Sequence, residues 1–553
     1  MQSQDIRQLL ATAIAHHQAG RIDEAEPLYR RILAIMPQQV DSLHLSGVIA
    51  NQRGDYEAGI KLIGRALALN GKAPQFHNNI GVAYRALKQF GNAARHFRQA
   101  VALKPDYAEA HLNVGAVFQD VGKLDEALAA FQHAVALKPD YAKAHYSLGF
   151  VRQAQKRWDE AAAHYGRALA FNPGYVEALN NLGLVFKEQG KLDEAVAQHE
   201  RALAISPKHA GAYYNLGIVR EEQGRLDDAL ACYARAQDIA PADADPHWNE
   251  ALICLLRGDY ARGWEKYEWR FKRAHKPQLY PSKPVWDGSD PTGRTLLLQA
   301  EQGYGDTIQF IRYAAWLKAR GAKVIVACQP GLSRLIETAL GVDQVMTWGD
   351  TPPDFDAYVP LLSLPKLAGT TIETVPADVP YLDAQADLVE AWRTKFAAAG
   401  LNVGLVWRGN PDNTINHKKS IPLEALAPLI SAKGVNWYVI QADASPEEIS
   451  VLASHGHVEA CGPALTDWAD TAALIAALDL VISVDTGVAH LAGALNKAVW
   501  VPLSFIPDWR WLLDRSGSPW YPSAKLFRQP AFGDWPAVVA RMQTELTALA
   551  QRT

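Results

Sequence analysis

Two patterns of apolar residues divide the chain. Up to about residue 243, amphipathic segments such as GKLDEALAAFQHAVALKP recur, with apolar residues three and four positions apart as on one face of a helix. From Arg294 onward, short apolar runs such as TLLLQA, KVIVACQ and DLVISVD alternate with stretches of helical pattern. The first pattern predicts an all-α region, and the second predicts α/β structure with doubly wound parallel sheets.

The all-α region contains an internal repeat of 34 residues. The period is marked by Gly47, Gly81, Gly115, Gly149, Gly183 and Gly217, and by Pro105, Pro139, Pro173, Pro207 and Pro241. Glycine lets the two helices of a repeat pack closely, and proline ends the second helix because it has no backbone N–H. The pattern resembles the tetratricopeptide repeat (TPR). Seven repeats run from Ile6 to Asp243, and a degenerate eighth follows in PHWNEALICLLRGDYARGWEKYEWRF.

The resemblance implies a superhelix whose concave face binds peptides or proteins. The sixth position of successive repeats carries Asn79, Asn113, Ser147, Asn181, Asn215 and Asn249. A carboxamide has both a donor and an acceptor, so this series could bind the backbone of an extended acceptor peptide. A similar series is characteristic of the O-GlcNAc transferase repeats. The alternative is that these side chains serve the packing of one helix on the next.

The α/β region carries two motifs, EQGYGDTIQF at 301–310 and SVDTGVAHLAGAL at 483–495. They resemble the landmarks of the heptosyltransferase-like glycosyltransferase family 9, which implies a GT-B fold of two Rossmann-like domains facing each other across a cleft. We therefore expect a TPR superhelix at 1–243, a degenerate repeat and linker at 244–293, an acceptor-side domain at 294–390 and a donor-binding domain at 391–553. The final segment, DWPAVVARMQTELTALA, is predicted to be a helix that crosses back to the first sheet.

The first motif places glycines and a carboxylate between a strand and a helix. Gly303 and Gly305 allow a tight turn and a close approach of a ligand to the backbone. The resemblance implies that Asp306 is the general base that takes the proton of the acceptor hydroxyl, a role that suits a carboxylate within hydrogen-bonding distance. The alternative is that Asp306 caps the helix that begins there.

The second motif contains Asp485-Thr486-Gly487, the tripeptide of aspartic proteases. Those enzymes need two such tripeptides in all-β lobes, whereas this chain has one in an α/β setting. A strand, a turn and a helix start direct backbone N–H groups toward an anion. The resemblance implies a donor phosphate site formed by Thr486 and Gly487, with His490 nearby. Asp485 would bond a sugar hydroxyl or cap the helix.

The loop WRGNPDNTINHKKSIPL, at 407–423, follows the first strand of the donor-binding domain. The family often has a basic residue in this loop to neutralise the donor phosphates, and Lys419 fits better than His417 or Lys418. A fixed positive charge there would stabilise the departing nucleotide without a metal. Trp407 and Gln441, which also follow strands, are further candidate donor contacts.

Charge and cysteine content narrow the class of protein. The 55 basic and 59 acidic residues give a net charge of −4, which argues against nucleic acid or an anionic membrane as partner. Four scattered cysteines, no signal-peptide layout and no apolar run of about 18 residues indicate a cytoplasmic protein without a membrane span. A DxD sequence at Asp354 and Asp356 resembles the metal site of another glycosyltransferase fold, but no third ligand accompanies it. We expect no metal and no cofactor beyond the nucleotide-sugar substrate.

These patterns predict a metal-independent protein O-glycosyltransferase that transfers a sugar from a nucleotide donor to Ser or Thr of a protein held by the repeats. The plan resembles O-GlcNAc transferase and bacterial flagellin glycosyltransferases. The bacterial type fits the family 9-like motifs better and implies flagellin as acceptor and a CMP-activated nonulosonic acid, such as pseudaminic acid, as donor. The alternatives are a UDP-GlcNAc-type enzyme, a lipopolysaccharide-type transferase docked by its repeats, and a non-catalytic scaffold with a degenerate sugar-nucleotide-binding domain.

Overall fold

The computed structural model describes residues 3–274, 280, 282–396, 399–411 and 416–552. The chain folds into two compact units, Met1–Cys232 and Tyr233–Thr553. The first is built from helices of 13 to 16 residues, and the second contains the sheets.

The helices of the repeats follow one another in pairs. They are α1 Ser3–Gln18, α2 Ile22–Ile35, α3 Val40–Gln52, α4 Tyr56–Leu69, α5 Pro74–Ala86, α6 Phe90–Leu103, α7 Ala108–Asp120, α8 Leu124–Leu137, α9 Ala142–Ala154, α10 Trp158–Phe171, α11 Val176–Glu188, α12 Leu192–Ile205, α13 Ala210–Glu222 and α14 Leu226–Ile239. A Cβ at Gly115 would lie 2.5 Å from Cε1 of Phe131, so glycine is what allows α7 and α8 to approach. The repeated pairs confirm the predicted TPR-like architecture.

The second unit begins with further helices that the sequence analysis assigned to a degenerate repeat. These are α15 Ala244–Arg257, α16 Tyr260–Tyr267 and α17 Arg270–Ala274. Trp264 and Tyr267 of α16 are almost fully buried and pack edge-on against Trp509. The aromatic cluster is therefore part of the core of the second unit.

The first sheet has the strand order β3-β2-β1-β4, and its strands run parallel. The strands are β1 Thr295–Gln299, β2 Lys323–Cys328, β3 Gln344–Thr347 and β4 Ala357–Pro360, and the helices of this domain are α18 Tyr304–Phe310, α19 Tyr313–Ala319, α20 Ser333–Ile336 and α21 Leu364–Leu367. From β1 the chain continues to β2 on one side, while β4 pairs on the other. Helices between parallel strands place α18 at the carboxyl end of β1.

The second sheet has the order β10-β9-β8-β5-β6-β7 and is also parallel. Its elements are α22 Ala386–Arg393, β5 Leu401–Val406, α23 Asn416–Lys419, α24 Leu423–Ile430, β6 Val435–Val439, α25 Pro446–Ala453, β7 Val458–Ala460, α26 Trp468–Ala477, β8 Leu480–Ser483, α27 Gly487–Ala494, β9 Val499–Leu503, β10 Ala524–Arg528 and α28 Trp535–Ala550. The strand order reverses between β5 and β8. This confirms the predicted α/β class with Rossmann-like sheets.

The C-terminal helix α28 packs on the second sheet, so the predicted crossover to the first sheet is wrong. Val538, Met542 and Leu546 recur at a spacing of four and lie in one apolar core with Trp437 of β6. The helix also contacts β10, the strand that precedes it. The physical reason is that a short connection returns an amphipathic helix to the nearest sheet face able to bury it.

Among the residues that the structure describes, no helix combines the length and apolarity needed to cross a membrane. Cys232, Cys254, Cys328 and Cys461 are free thiols, and all except Cys232 are buried.

Candidate functional site

A cleft of about 870 Å³ lies at the carboxyl ends of strands from both sheets. Its walls include nearly all of the residues that the sequence analysis proposed for catalysis or donor binding. These are Gly303, Gly305, Asp306, Lys419, Gln441, Asp485, Thr486, Gly487 and His490. A volume in this range fits a ligand of nucleotide-sugar size.

Asp306 is both a cap and a cleft residue. Its Oδ2 accepts the backbone N–H of Gly303 over 2.9 Å at the start of α18. Its other oxygen forms an ion pair with Arg510. Burial raises the pKa of Asp306, while the Arg510 guanidinium opposes that shift. The carboxylate is thus held in one orientation, with 18% of its side chain exposed.

Arg510 was missed in the sequence analysis, although it is the direct partner of Asp306. Its Nε donates to Oε1 of Gln309 over 2.6 Å, and its Nη1 donates to Oδ1 of Asp508 over 2.9 Å. The guanidinium stacks at 4.3 Å on the ring centre of Trp509. The only sequence signal was an arginine between two tryptophans in DWRWLL, and no spacing rule connects it to a residue 204 positions away.

Lys419 follows β5 and Asp485 follows β8, the neighbouring strands between which the strand order reverses. Their side chains meet at this point. They form a close ion pair, with 22% and 9% of their side chains exposed. Asp485 also accepts the indole N–H of Trp511 over 2.8 Å. Although burial opposes ionisation, the Lys419 ammonium holds the pKa of Asp485 well below its usual range. The predicted phosphate-binding lysine therefore has a counter-ion within the protein. The side chain of His417, the alternative candidate, lies outside the described residues.

His490 lies behind Asp485 on α27. Its Nδ1 is 3.0 Å from the hydroxyl of Tyr521, and its ring stacks on Trp511 at a centroid distance of 5.4 Å. Burial lowers the pKa of His490 to about 3. The imidazole is therefore neutral at physiological pH and would act in this cleft through a hydrogen bond, not through a charge.

Two glycines bring the helices of the different sheets into contact. A Cβ at Gly305 would lie 3.3 Å from the Cα of Gly487 and 2.9 Å from Cδ2 of His490. A Cβ at Gly487 would lie 2.6 Å from Cη2 of Trp468. The two motifs therefore adjoin at the cleft, and the first turn of α27 stays partly exposed there.

Gln441 follows β6 and lines the far side of the cleft. Its Nε2 donates to Oδ1 of Asp443 over 2.6 Å, and its Oε1 accepts the backbone N–H of Arg408 over 3.4 Å. The Arg408 side chain, which the sequence analysis also missed, pairs with Asp443 and with Glu448. These contacts make a fixed polar wall.

Trp407 does not line the cleft, so its assignment as a donor contact is corrected. Its side chain is 2% exposed and lies in the apolar core with Leu405, Ile421 and Trp437. The physical reason is strand alternation, which turns Trp407 inward, while Arg408 beside it lines the cleft.

The asparagine series of the repeats forms contacts between helices. Asn113 donates to Asn78 over 2.8 Å, Asn181 to Tyr146 over 3.1 Å and Asn215 to Asn180 over 3.1 Å, each 35 residues earlier; Asn79 lies 2.9 Å from Nε2 of His44, and Asn249 donates to Tyr233 over 3.1 Å. The amide donors are thus engaged within the array. Binding of a peptide by this series remains a prediction.

The DxD carboxylates have other partners. Asp354 pairs with Lys283 over 2.8 Å, and Asp356 accepts the backbone N–H of Thr295 over 2.7 Å. Within the described part of the chain, no cluster of three or more His, Cys, Asp or Glu side chains is arranged to bind a metal ion.

Comparison with known proteins assigns the two halves separately. Residues 2–252 match the TPR model described as the Cilia and flagella-associated protein 70 C-terminal domain, and residues 422–500 match Glycosyltransferase family 9 (heptosyltransferase). Protein FlbA of Caulobacter vibrioides is 26% identical over 330 residues, which are 54% of this chain and 54% of that protein. The chain thus spans about half the length of the curated relative it matches.

Two solved structures resemble the repeats. MamA is 28% identical, with a TM-score of 0.28, and the match covers 29% of this chain and 95% of MamA. YrrB, described as a TPR protein with an unusual peptide-binding site, is 24% identical, with a TM-score of 0.30, over 34% of this chain and 98% of YrrB. The family matches show that the chain combines an N-terminal TPR region with a C-terminal glycosyltransferase family 9 domain.

Proposed function

We propose that the protein is a metal-independent O-glycosyltransferase of the GT-B type that modifies Ser or Thr of a protein acceptor. The observation that carries the proposal is the meeting of Asp306 and the Asp485–Gly487 turn in one cleft of about 870 Å³. Asp306 is suited to activate an acceptor hydroxyl, and the turn is suited to hold a donor phosphate.

The sheet topology supports a donor site beside Lys419. In open parallel sheets, ligands bind outside the carboxyl ends of the strands where the strand order reverses. The reversal between β5 and β8 lies where Lys419 and Asp485 pair. The first-turn amides of α27 have no partners inside the helix and carry its positive end, which favours an anion. A donor phosphate there would share the Lys419 ammonium with Asp485.

Asp306 is the proposed general base. It would accept the proton of the acceptor hydroxyl as that oxygen bonds to the anomeric carbon of the sugar, while the bond to the donor phosphate breaks and its electron pair leaves with the nucleotide. Lys419 and the amides of α27 would stabilise the negative charge on the departing phosphate. A raised pKa, the direction that burial gives to Asp306, increases the basicity of the carboxylate.

The repeats are the proposed acceptor-binding region, with flagellin as the acceptor and a CMP-activated nonulosonic acid as the donor. The TPR match over residues 2–252 supports a protein-binding role for the repeats, and the family 9 match over residues 422–500 supports the transferase role. Joining an acceptor-binding surface to a catalytic cleft in one chain raises the effective concentration of the acceptor. A UDP-GlcNAc donor is the alternative.

The first test is a thermal-shift screen with CMP, UDP, GDP and ADP compounds, because a ligand that binds the folded state raises its melting temperature. Transfer to candidate acceptors, flagellin included, is then measured by mass spectrometry with the sugar nucleotide that binds. Asp306→Asn is expected to abolish transfer while nucleotide binding remains. Asp354→Asn is the matched control, because Asp354 is an exposed carboxylate outside the cleft.

The results discriminate among the candidate functions. Stabilisation by CMP compounds supports the nonulosonic acid donor, and stabilisation by UDP compounds alone supports the GlcNAc type. Nucleotide binding without transfer in the wild type indicates the scaffold. Full transfer by Asp306→Asn refutes the role of the base.

A further inference from the structure

Arg270 is a buried guanidinium that the chemistry above does not use. Its side chain is 6% exposed. Its Nε and Nη2 donate to the two carboxylate oxygens of Glu301 over 3.1 and 3.0 Å, and its Nη1 donates to Glu268 over 2.6 Å. Its Nη2 also donates to the hydroxyl of Ser363 over 2.7 Å. A planar two-point bond of this kind fixes both the distance and the orientation of a carboxylate.

Glu301 is the first residue of the EQGYGD motif. It is 11% exposed, and its Oε2 also accepts the backbone N–H of Leu362 over 3.2 Å. Two residues later, the backbone N–H of Gly303 donates to Asp306 over 2.9 Å. Arg270 therefore fixes the position of Glu301, and the turn that follows Glu301 holds Asp306 in its orientation.

The preceding helix, α16, supports the ion-pair partner of Asp306. Trp264 and Tyr267 of α16 contact the ring of Trp509 at centroid distances of 5.2 and 6.1 Å. Trp509 precedes Arg510 and stacks beneath its guanidinium. Both sides of the Asp306–Arg510 pair thus rest on α16 and the start of α17.

We propose that Arg270 is a positioning residue for Asp306, and that Trp264, Tyr267 and Arg270 of the degenerate eighth repeat support the catalytic carboxylate. The proposal rests on the proposed function, in which Asp306 is the base. It changes the role of residues 264–270 from a degenerate repeat to a determinant of the geometry of the carboxylate.

The charged groups around Asp306 determine how its pKa would change if this support were lost. The groups that face it are Arg510 and Asp508 from the turn before Trp511, Asp485 from the second sheet, and Tyr267 from α16. If the segment loosens, Arg510 stabilises the ionised carboxylate less, whereas burial still raises its pKa. The activity of a base that must be ionised would then begin at a higher pH.

The test compares full-length Arg270→Lys with wild type and with Arg262→Lys. Lysine keeps the charge but cannot form the two-point bond. Arg262 is the matched control because it lies on α16, the helix before Arg270, and donates to the buried Glu250 over 2.7 Å, not to Glu301 or its neighbours. Two quantities are measured: hydrogen exchange of the peptide 301–310, and the rate of nucleotide release, over a range of pH, from the sugar nucleotide that stabilises the wild type.

Arg270→Lys is expected to accelerate exchange in 301–310, to lower turnover about tenfold and to move the acidic limb of the pH profile up by about half a unit or more. Nucleotide affinity should not change, and Arg262→Lys should show neither effect. Unchanged exchange together with an unchanged acidic limb would overturn the proposal, even if the melting temperature fell. Faster exchange in a protein whose wild type releases no nucleotide from any donor supports the contact and refutes the proposed function.

Discussion

The Lys419–Asp485 pair gives the sharpest test of the cleft. Replacing Lys419 with Met leaves a carboxylate that is 9% exposed, with the Trp511 indole donating to it and Nε2 of His490 3.8 Å away. Removing one partner of a buried ion pair costs about 3–5 kcal/mol, because the other charge stays desolvated. At about 2 °C per kcal/mol for a large domain, the C-terminal unit should melt about 6–10 °C lower. The double variant Lys419→Met/Asp485→Asn should recover most of this loss.

The assay is a double-mutant cycle of thermal melts at about pH 8 and about pH 5. The pKa of Asp485 is depressed by Lys419, so the pair contributes its stability above the unfolded pKa of about 3.9 and loses it as the pH falls through the folded value. In Lys419→Met the pKa of Asp485 rises, and protonation relieves the penalty. The difference between wild type and variant should therefore shrink on acidification. Strictly additive single variants, or a difference that grows at low pH, would refute this reasoning.

Three further predictions concern side chains that the sequence analysis proposed as ligand contacts. Because burial lowers the pKa of His490 to about 3, nucleotide affinity should show no His490 titration between about pH 5 and 8; a step in thermal shifts that His490→Gln removes would contradict this. Trp407→Ala should lower the free energy of unfolding, measured in urea, by about 3–5 kcal/mol, and nucleotide affinity should stay unchanged if the protein remains folded. Asn215→Ala should destabilise the repeats by about 1 kcal/mol through loss of its bond to Asn180; lost acceptor binding at unchanged stability would instead favour the peptide-binding role.

The repeats and the turns were predictable because their determinants are local. Gly115 belongs to a periodic series of glycines because the close contact that it makes with Phe131 is repeated along the array. A contact that repeats in the structure requires a residue that repeats in the sequence. Asp485 lies just after β8 and Gly487 begins α27, so the setting is visible in a few adjacent residues.

The remaining features depend on distant pairs or on the direction of a single side chain. The Asp306–Arg510 pair joins positions 204 residues apart, and nothing local to either residue identifies the other. Trp407 directly follows β5, at the start of a loop that lines the cleft, and the direction of its side chain decides whether it lies in the core or in the cleft. The destination of α28 depends on which sheet face is open, which an amphipathic pattern does not specify.

The hydrogen bonds that asparagine side chains form between neighbouring repeats have a consequence for unfolding. Asn113, Asn181 and Asn215 each bond to a side chain 35 residues earlier, so part of the stability of each repeat belongs to its interface with the previous one. In a linear array, such interface energies make adjacent repeats unfold cooperatively. A ligand that spans several repeats would bind across these interfaces, so it should suppress the local unfolding of the repeats that it contacts.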